Sequence, residues 1–203
     1  MDYQPIENYG IIGDLGTIAL VGLNGSIDFM CFPNFDSPSI FASLLDKDKG
    51  GYFCIRPVFS QMKTKQLYLP DTNVLLTRFL SADGIGEITD FMSTSGQPDD
   101  ERRLIRRVTT IKGDVTYKLH CSPKFNYGRD THKAVQTGPN EICFEPEDGS
   151  GPRLCLRSTL PVRITEDDAM AEFTLSVNQT ADFILDDAAL RKGQHQDICA
   201  VVT

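Results

Sequence analysis

Along most of this chain apolar residues recur at every second position, in short runs broken by Gly, Pro, Asp and Asn. Period-two alternation marks a half-buried β-strand. The clearest case is the pair of runs at 17–23 and 26–32, which flank Asn24-Gly25. That dipeptide predicts a two-residue type I′ hairpin turn, because such a turn needs positive φ at both central positions. The register that follows sets Leu20 opposite Phe29 and Ile18 opposite Cys31. One face is then Ile18, Leu20, Ile27, Phe29 and Cys31, wholly apolar. Val21, Met30 and Phe32 share the other with Thr17, Ser26 and Asp28. A slip by one residue would exchange the faces, so the register is well specified.

Further runs of the same kind predict strands at 51–58, 66–69, 73–81, 85–92, 104–111, 115–121, 134–137, 141–145, 153–158, 162–165, 172–177, 181–185 and 197–203. Asp83-Gly84 and Lys112-Gly113-Asp114 are turns, and 93–101 is a polar loop. About fourteen strands at roughly 8–12-residue spacing predict an all-β chain, a large antiparallel β-sandwich. One short helix is expected after the first hairpin. Ser37 suits its N-cap, Pro38 its first turn, and Ile40, Phe41, Leu44 and Leu45 form an apolar stripe. Residues 186–192 are a second helical candidate. Gly10, Gly13 and Gly16 have G-x-x-G-x-x-G spacing with no βαβ unit around them, so they read as turn glycines and not as a dinucleotide loop.

Composition narrows the class. At 203 residues the chain fits one large domain, and 40% hydrophobic with 24% charged residues is ordinary for a globular protein. A net charge of -8 argues against nucleic acid and against an anionic membrane as partners. Residues 1–5 lack the basic start and apolar core of a signal peptide, and no 18-residue apolar run occurs, so a cytoplasmic protein is expected. Six cysteines are scattered without a C-x-x-C pair; reduced, buried thiols are expected rather than disulfides or a metal site. His120, His132 and His195 are too dispersed for a metal site. Arg102, Arg103, Arg106 and Arg107 alternate around Leu104 and Ile105, with Asp99, Asp100 and Glu101 adjacent, and read as a solvated or locally paired strand.

The runs IGDLGT at 12–17 and GSIDFMCFPNFDSPSIFASLLD at 25–46 resemble the N-terminal domain of the glucoamylase and trehalase-like enzymes of glycoside hydrolase family 15. FLSADGIGEITDFM at 79–92, RLIRRV at 103–108 and SPKFNYGR at 122–129 extend the similarity in the same order. Phe29 departs from it, since relatives commonly carry Trp there. The resemblance implies that residues 1–203 form a supersandwich-type N-terminal domain. A helical linker and a helical-barrel catalytic domain would follow, and the apolar run at 198–202 fits a chain cut before them. It also implies an inverting α-glucoside hydrolase whose two catalytic glutamates lie in the barrel.

Inversion needs two carboxyl groups roughly 6.5–9.5 Å apart. Nothing in the sequence sets any two of Asp14, Asp28, Asp36 and Asp90 at such a distance, so no catalytic residue, metal or cofactor is assigned here. The expected contribution is shape. Phe35, Asp36 and Ser37, between Pro33 and Pro38, would wall the rim of the sugar pocket or meet the barrel, with Phe32 and Phe41 beside them in an exposed apolar patch. Asp36 has a purely structural reading too, as a helix cap or loop brace. Phe125 and Tyr127, at i and i+2 of an extended segment, would point the same way for stacking or interdomain packing. The expected partners are the chain's own C-terminal catalytic domain and an α-glucoside, with room for a homo-oligomer contact. The alternative is an autonomous sandwich module that binds carbohydrate or protein. The lack of any Trp weighs against it, since such modules depend on exposed aromatic platforms.

Overall fold

The computed structural model describes residues 3–92, 102–149 and 151–190. In chain order the strands are β1 (Tyr9–Gly13), β2 (Ile18–Gly22), β3 (Ser26–Cys31), β4 (Ser39–Phe41), β5 (Tyr52–Pro57), β6 (Lys63–Tyr68), β7 (Leu75–Leu80) and β8 (Ile85–Met92). They continue as β9 (Arg103–Lys112), β10 (Val115–Ser122), β11 (His132–Gly138), β12 (Glu141–Pro146), β13 (Leu154–Ser158), β14 (Arg163–Thr165), β15 (Asp168–Leu175) and β16 (Thr180–Asp187). Two antiparallel sheets result. The first runs β1-β2-β3-β5-β10-β15-β14, with β4 paired to β3, and the second runs β11-β12-β13-β16-β9-β8-β7-β6.

The core lies between the sheets. Phe53, Ile55, Tyr117 and Leu119 come from the first, Phe79, Ile88, Val108 and Phe183 from the second, and all are buried. Tyr117 stacks on Phe173 at 5.6 Å between ring centroids, and Phe173 meets Phe183 of the opposite sheet at 5.5 Å. Alternation along β9 puts Leu104, Arg106, Val108 and Thr110 on the inner face, each fully buried. Arg106 is therefore a core residue, not part of a solvated strand. Its side chain meets Asp90, its register partner on β8, at 2.8 Å. It also donates to Phe53 O at 2.5 Å and Gly25 O at 2.8 Å, bonding one sheet to the other. Arg107 and Arg102 are paired as expected, but with distant partners, Asp182 at 2.7 Å and Asp14 at 3.2 Å. Residues 99–101 lie outside the described residues.

The first hairpin departs from expectation in its turn. Gly25 N–H donates to Gly22 O at 2.9 Å, and of Asn24 and Gly25 only Gly25 takes positive φ, at 80°. This is a turn centred on Leu23 and Asn24 with glycine as the bulge residue. A Cβ on Gly25 would lie 2.2 Å from Ile55 O, so the close approach of β5 also requires glycine. Leu20 does face Phe29, but Val21 faces Ile27, leaving Asp28 as an unopposed bulge, and the β2–β3 ladder does not reach Ile18 and Cys31. The bulge shifts the alternation. Ala19, Val21, Ile27 and Met30 are fully buried, while Ile18, Leu20 and Phe29 of the expected apolar face are half-buried.

The expected helix after the hairpin is absent; residues 39–41 form β4. Ser39, Ile40 and Phe41 are all buried, so both faces of the segment are covered, and β3 gains a hydrogen-bonding partner along its edge. Leu45, on the predicted stripe, is 66% exposed. Among the described residues the one short helical segment outside 3-10 turns is instead the turn Phe125–Gly128. Gly10 and Gly13 lie within β1 and are strand residues, not the turn glycines expected. The second helical candidate splits: Asp186 and Asp187 end β16, Ala188–Leu190 form a 3-10 turn, and 191–192 lie outside the described residues, as do the loop at 93–101 and the strand at 197–203.

Cys143 and Cys155 face each other on β12 and β13 and are joined by a disulfide, which corrects the expectation of free thiols there. Cys31, Cys54 and Cys121 are free and buried as expected. Cys199 is outside the described residues. Among those residues no helix is long and apolar enough to cross a membrane.

Candidate functional site

The loop between β3 and β4 is tightly built. Ser37 closes it from both sides: its N–H donates to Asn34 O at 3.1 Å, and its Oγ accepts from Asn34 N–H at 3.2 Å. Phe35 N–H donates to Gly16 O at 2.9 Å, tying the loop to the β1–β2 connection. That connection is fixed in turn by Asp14, whose Oδ1 accepts from the backbone of Gly16 and Thr17 and from Arg102. On this support Phe35 stands 55% exposed and Asp36 is exposed, with no hydrogen bond among the described residues. Asp36 therefore neither caps a helix nor braces the loop; Ser37 does the bracing.

Beside the loop lies a groove of about 320 Å³, with Phe32, Pro38, Ile40, Phe125 and Pro152 as apolar walls. Asn126 and Asp130 form its polar edge, bonded to each other at 3.2 Å. The predicted residues thus divide. Phe32 and Phe125 line the groove but are buried, and Phe41 is wholly in the core, so of the expected patch of Phe32, Phe35 and Phe41 only Phe35 is exposed. Phe125 and Tyr127 do not point the same way. Asn126 and Tyr127 adopt left-handed conformations, which turn Tyr127 outward at 48% exposure while Phe125 packs inside. Phe35, Asp36, Ser37 and Tyr127 remain as accessible groups.

Three of the four carboxylates singled out in the sequence are engaged internally. Asp14 holds Arg102, Asp90 holds Arg106, and Asp28 accepts from Tyr9 at 2.7 Å, Ser26 at 2.6 Å and Ser43 at 3.0 Å. Burial pushes Asp90 upward, with Arg106 pulling it back. Burial also pushes the Cys54 thiol up to about 11 and raises Cys31 and Cys121, so none of these thiols is an activated nucleophile. Glu141 approaches Cys143 and Cys155 within metal-binding distance, but a disulfide offers no thiolate to an ion.

The sequence reading missed a string of polar groups on the outer face of the first sheet. Tyr52 OH meets His120 Nδ1 at 2.8 Å, and His120 Nε2 meets Asp168 Oδ2 at 2.7 Å. Burial alone would raise Asp168. The hydrogen bond from His120, the nearby Ser122 hydroxyl and the charge of Lys124 at 3.5 Å outweigh it and hold the carboxyl below its ordinary value. The three residues come from β5, β10 and β15, and only strand order brings them together.

A family described as trehalase-like, N-terminal, matches residues 1–196. A trehalase of Thermoplasma volcanium is 40% identical over 136 residues, 63% of this chain and 21% of that protein. Trehalase 1 of Sulfolobus acidocaldarius is 46% identical over 119 residues, 59% of this chain and 19% of that protein. Trehalase 2 of the same organism is 33% identical over 163 residues, 78% of this chain and 26% of that protein. The chain thus spans about a fifth to a quarter of the curated relatives it matches. Matched over residues 1–196, this two-sheet sandwich belongs to the trehalase-like N-terminal family.

Proposed function

We propose that this chain is the non-catalytic sandwich half of a trehalase-like, inverting α-glucoside hydrolase of the glycoside hydrolase family 15 kind. Its partner is a C-terminal helical-barrel domain that carries the acid and the base. The chain buttresses that barrel, and the loop at 34–38 with Tyr127 shapes one rim of the sugar pocket. The observation that carries this reading is Asp36. It is the one of the four carboxylates without an internal partner among the described residues, and it stands beside an exposed Phe35 on a loop held by Ser37 and Gly16. A fixed ring face with an adjacent acceptor suits a sugar's C–H face and hydroxyls.

The test is Asp36→Ala and Phe35→Ala in the full-length enzyme, with an α,α-linked and an α-1,4-linked diglucoside as substrates. Loss of about tenfold in kcat/KM, equivalent to about 1.4 kcal/mol, is expected with an unchanged melting temperature. Unchanged kcat and KM for both substrates would leave the loop a purely structural role and overturn the reading.

A further inference from the structure

Away from that loop, the face of the first sheet turned from the core holds a second cavity, of about 150 Å³, between β1, β3, β5 and the segment after β4. We infer that this cavity is a subsite for a single hexopyranose ring. It falls below the roughly 300 Å³ at which pockets for drug-sized ligands begin. Its floor is Asp28, the bulge residue of β3, which is only 8% exposed. Bulges re-aim single side chains, and this one points a carboxylate into the sheet's outer face.

The groups around Asp28 are arranged with free valences outward. Tyr9 donates its hydroxyl hydrogen to Asp28 Oδ2, and Ser26 and Ser43 donate to Oδ1. With its hydrogen committed inward, Tyr9 presents lone pairs to the cavity. Burial and Asp28 both push its pKa above the ordinary tyrosine value, so it stays a phenol. Asn24 uses its carbonyl oxygen to accept from Ser26 N–H, which leaves its NH2 as a donor. Gln4 uses its carbonyl oxygen to accept from Asn8, and its NH2 has no partner among the described residues. Tyr52 forms a wall whose orientation is fixed by the bond to His120. Tyr3 supplies a third ring, 57% exposed, at the mouth. Tyrosine faces with interleaved amide donors and phenol acceptors complement a pyranose, which offers C–H faces and hydroxyls that both donate and accept. Lys47 and Asp28 oppose each other in charge, so a neutral ligand is favoured over an anion or cation.

The inference does not rest on the loop at 34–38. Its test is a titration of isotope-labelled chain with D-glucose, with trehalose and with the acyclic polyol mannitol, followed by amide chemical shifts. Saturable shifts at Asn24, Ser43 and Lys47 are expected with glucose, with a dissociation constant on the order of millimolar. Trehalose should give the same shifts if one ring suffices, and mannitol should give none. Asn24→Ala and Gln4→Ala are on the cavity's rim, and each should weaken glucose binding at least about tenfold without changing the far-ultraviolet spectrum. Absence of saturable shifts, equal shifts with mannitol, or shifts that survive both rim substitutions would overturn the inference.

Discussion

Replacing Arg106 by Met tests how the two sheets are held together. The guanidinium is fully buried, bonds Asp90 at 2.8 Å and two backbone carbonyls of the opposite sheet, and lies 4.7 Å over the Phe53 ring. Methionine fills much of the volume but leaves the Asp90 carboxyl buried without its cation. Removing one member of a buried pair costs about 3–5 kcal/mol, a large share of the roughly 5–15 kcal/mol that holds a typical domain folded. For a domain of this size that corresponds to a fall of roughly 6–20 °C in melting temperature. Urea unfolding should show a lower midpoint with an unchanged slope, the mark of lost stability without a change in compactness.

Two controls follow from the same physics. With Arg106 gone, burial alone acts on Asp90 and raises it further above its ordinary 3.8. A carboxyl raised in the folded state contributes stability that is full below 3.8 and lost as pH rises through the folded value. The deficit of Arg106→Met should therefore narrow toward acid pH. Adding Asp90→Leu should also recover most of it, since an apolar pair in place of a buried ion pair is about neutral or better. A single variant within about 0.5 kcal/mol of the parent, the range of surface substitutions, would refute the reasoning. So would a double variant no more stable than the single.

Two further outcomes are expected. Asp168 is held below 3.8 in the folded state, so its contribution is present above that value and lost as pH falls through the lower folded one. Acid melts of Asp168→Asn should thus be flatter with pH than those of the parent in that window, and parallel curves would remove Asp168 from the account. Cys143 and Cys155 close a loop with a sequence separation of 12. Their joint replacement by Ala should lower stability by about 3 kcal/mol on the chain-entropy account, read by urea unfolding, with mass spectrometry of alkylated peptides confirming the bond in the parent. A stability unchanged by the double replacement would refute the bond's contribution.

Strand identity was legible in the sequence because a strand's alternation is local: β8 falls where the pattern puts it, and β9 and β10 within a residue or so. The family was legible too, in contiguous runs such as FDSPSIFASLLD. What failed were features decided by a partner distant in sequence. Residues 39–41 have a helical stripe, yet β3 needed an edge partner, and a strand buried on both faces shows no alternation to read. Arg106 looks like any charge in a basic run until Asp90, Phe53 and Gly25 close around it. Tyr52, His120 and Asp168 are separated by 68 and 48 residues, and only the order of strands in the sheet makes them neighbours. Periodicity gives which side chains share a face only where the ladder is regular; at the Asp28 bulge the alternation shifts, and the predicted face of the first hairpin is lost. Which faces meet, and so which charges are neutralised and which carboxylate is left without an internal partner among the described residues, was decided by packing across the two sheets.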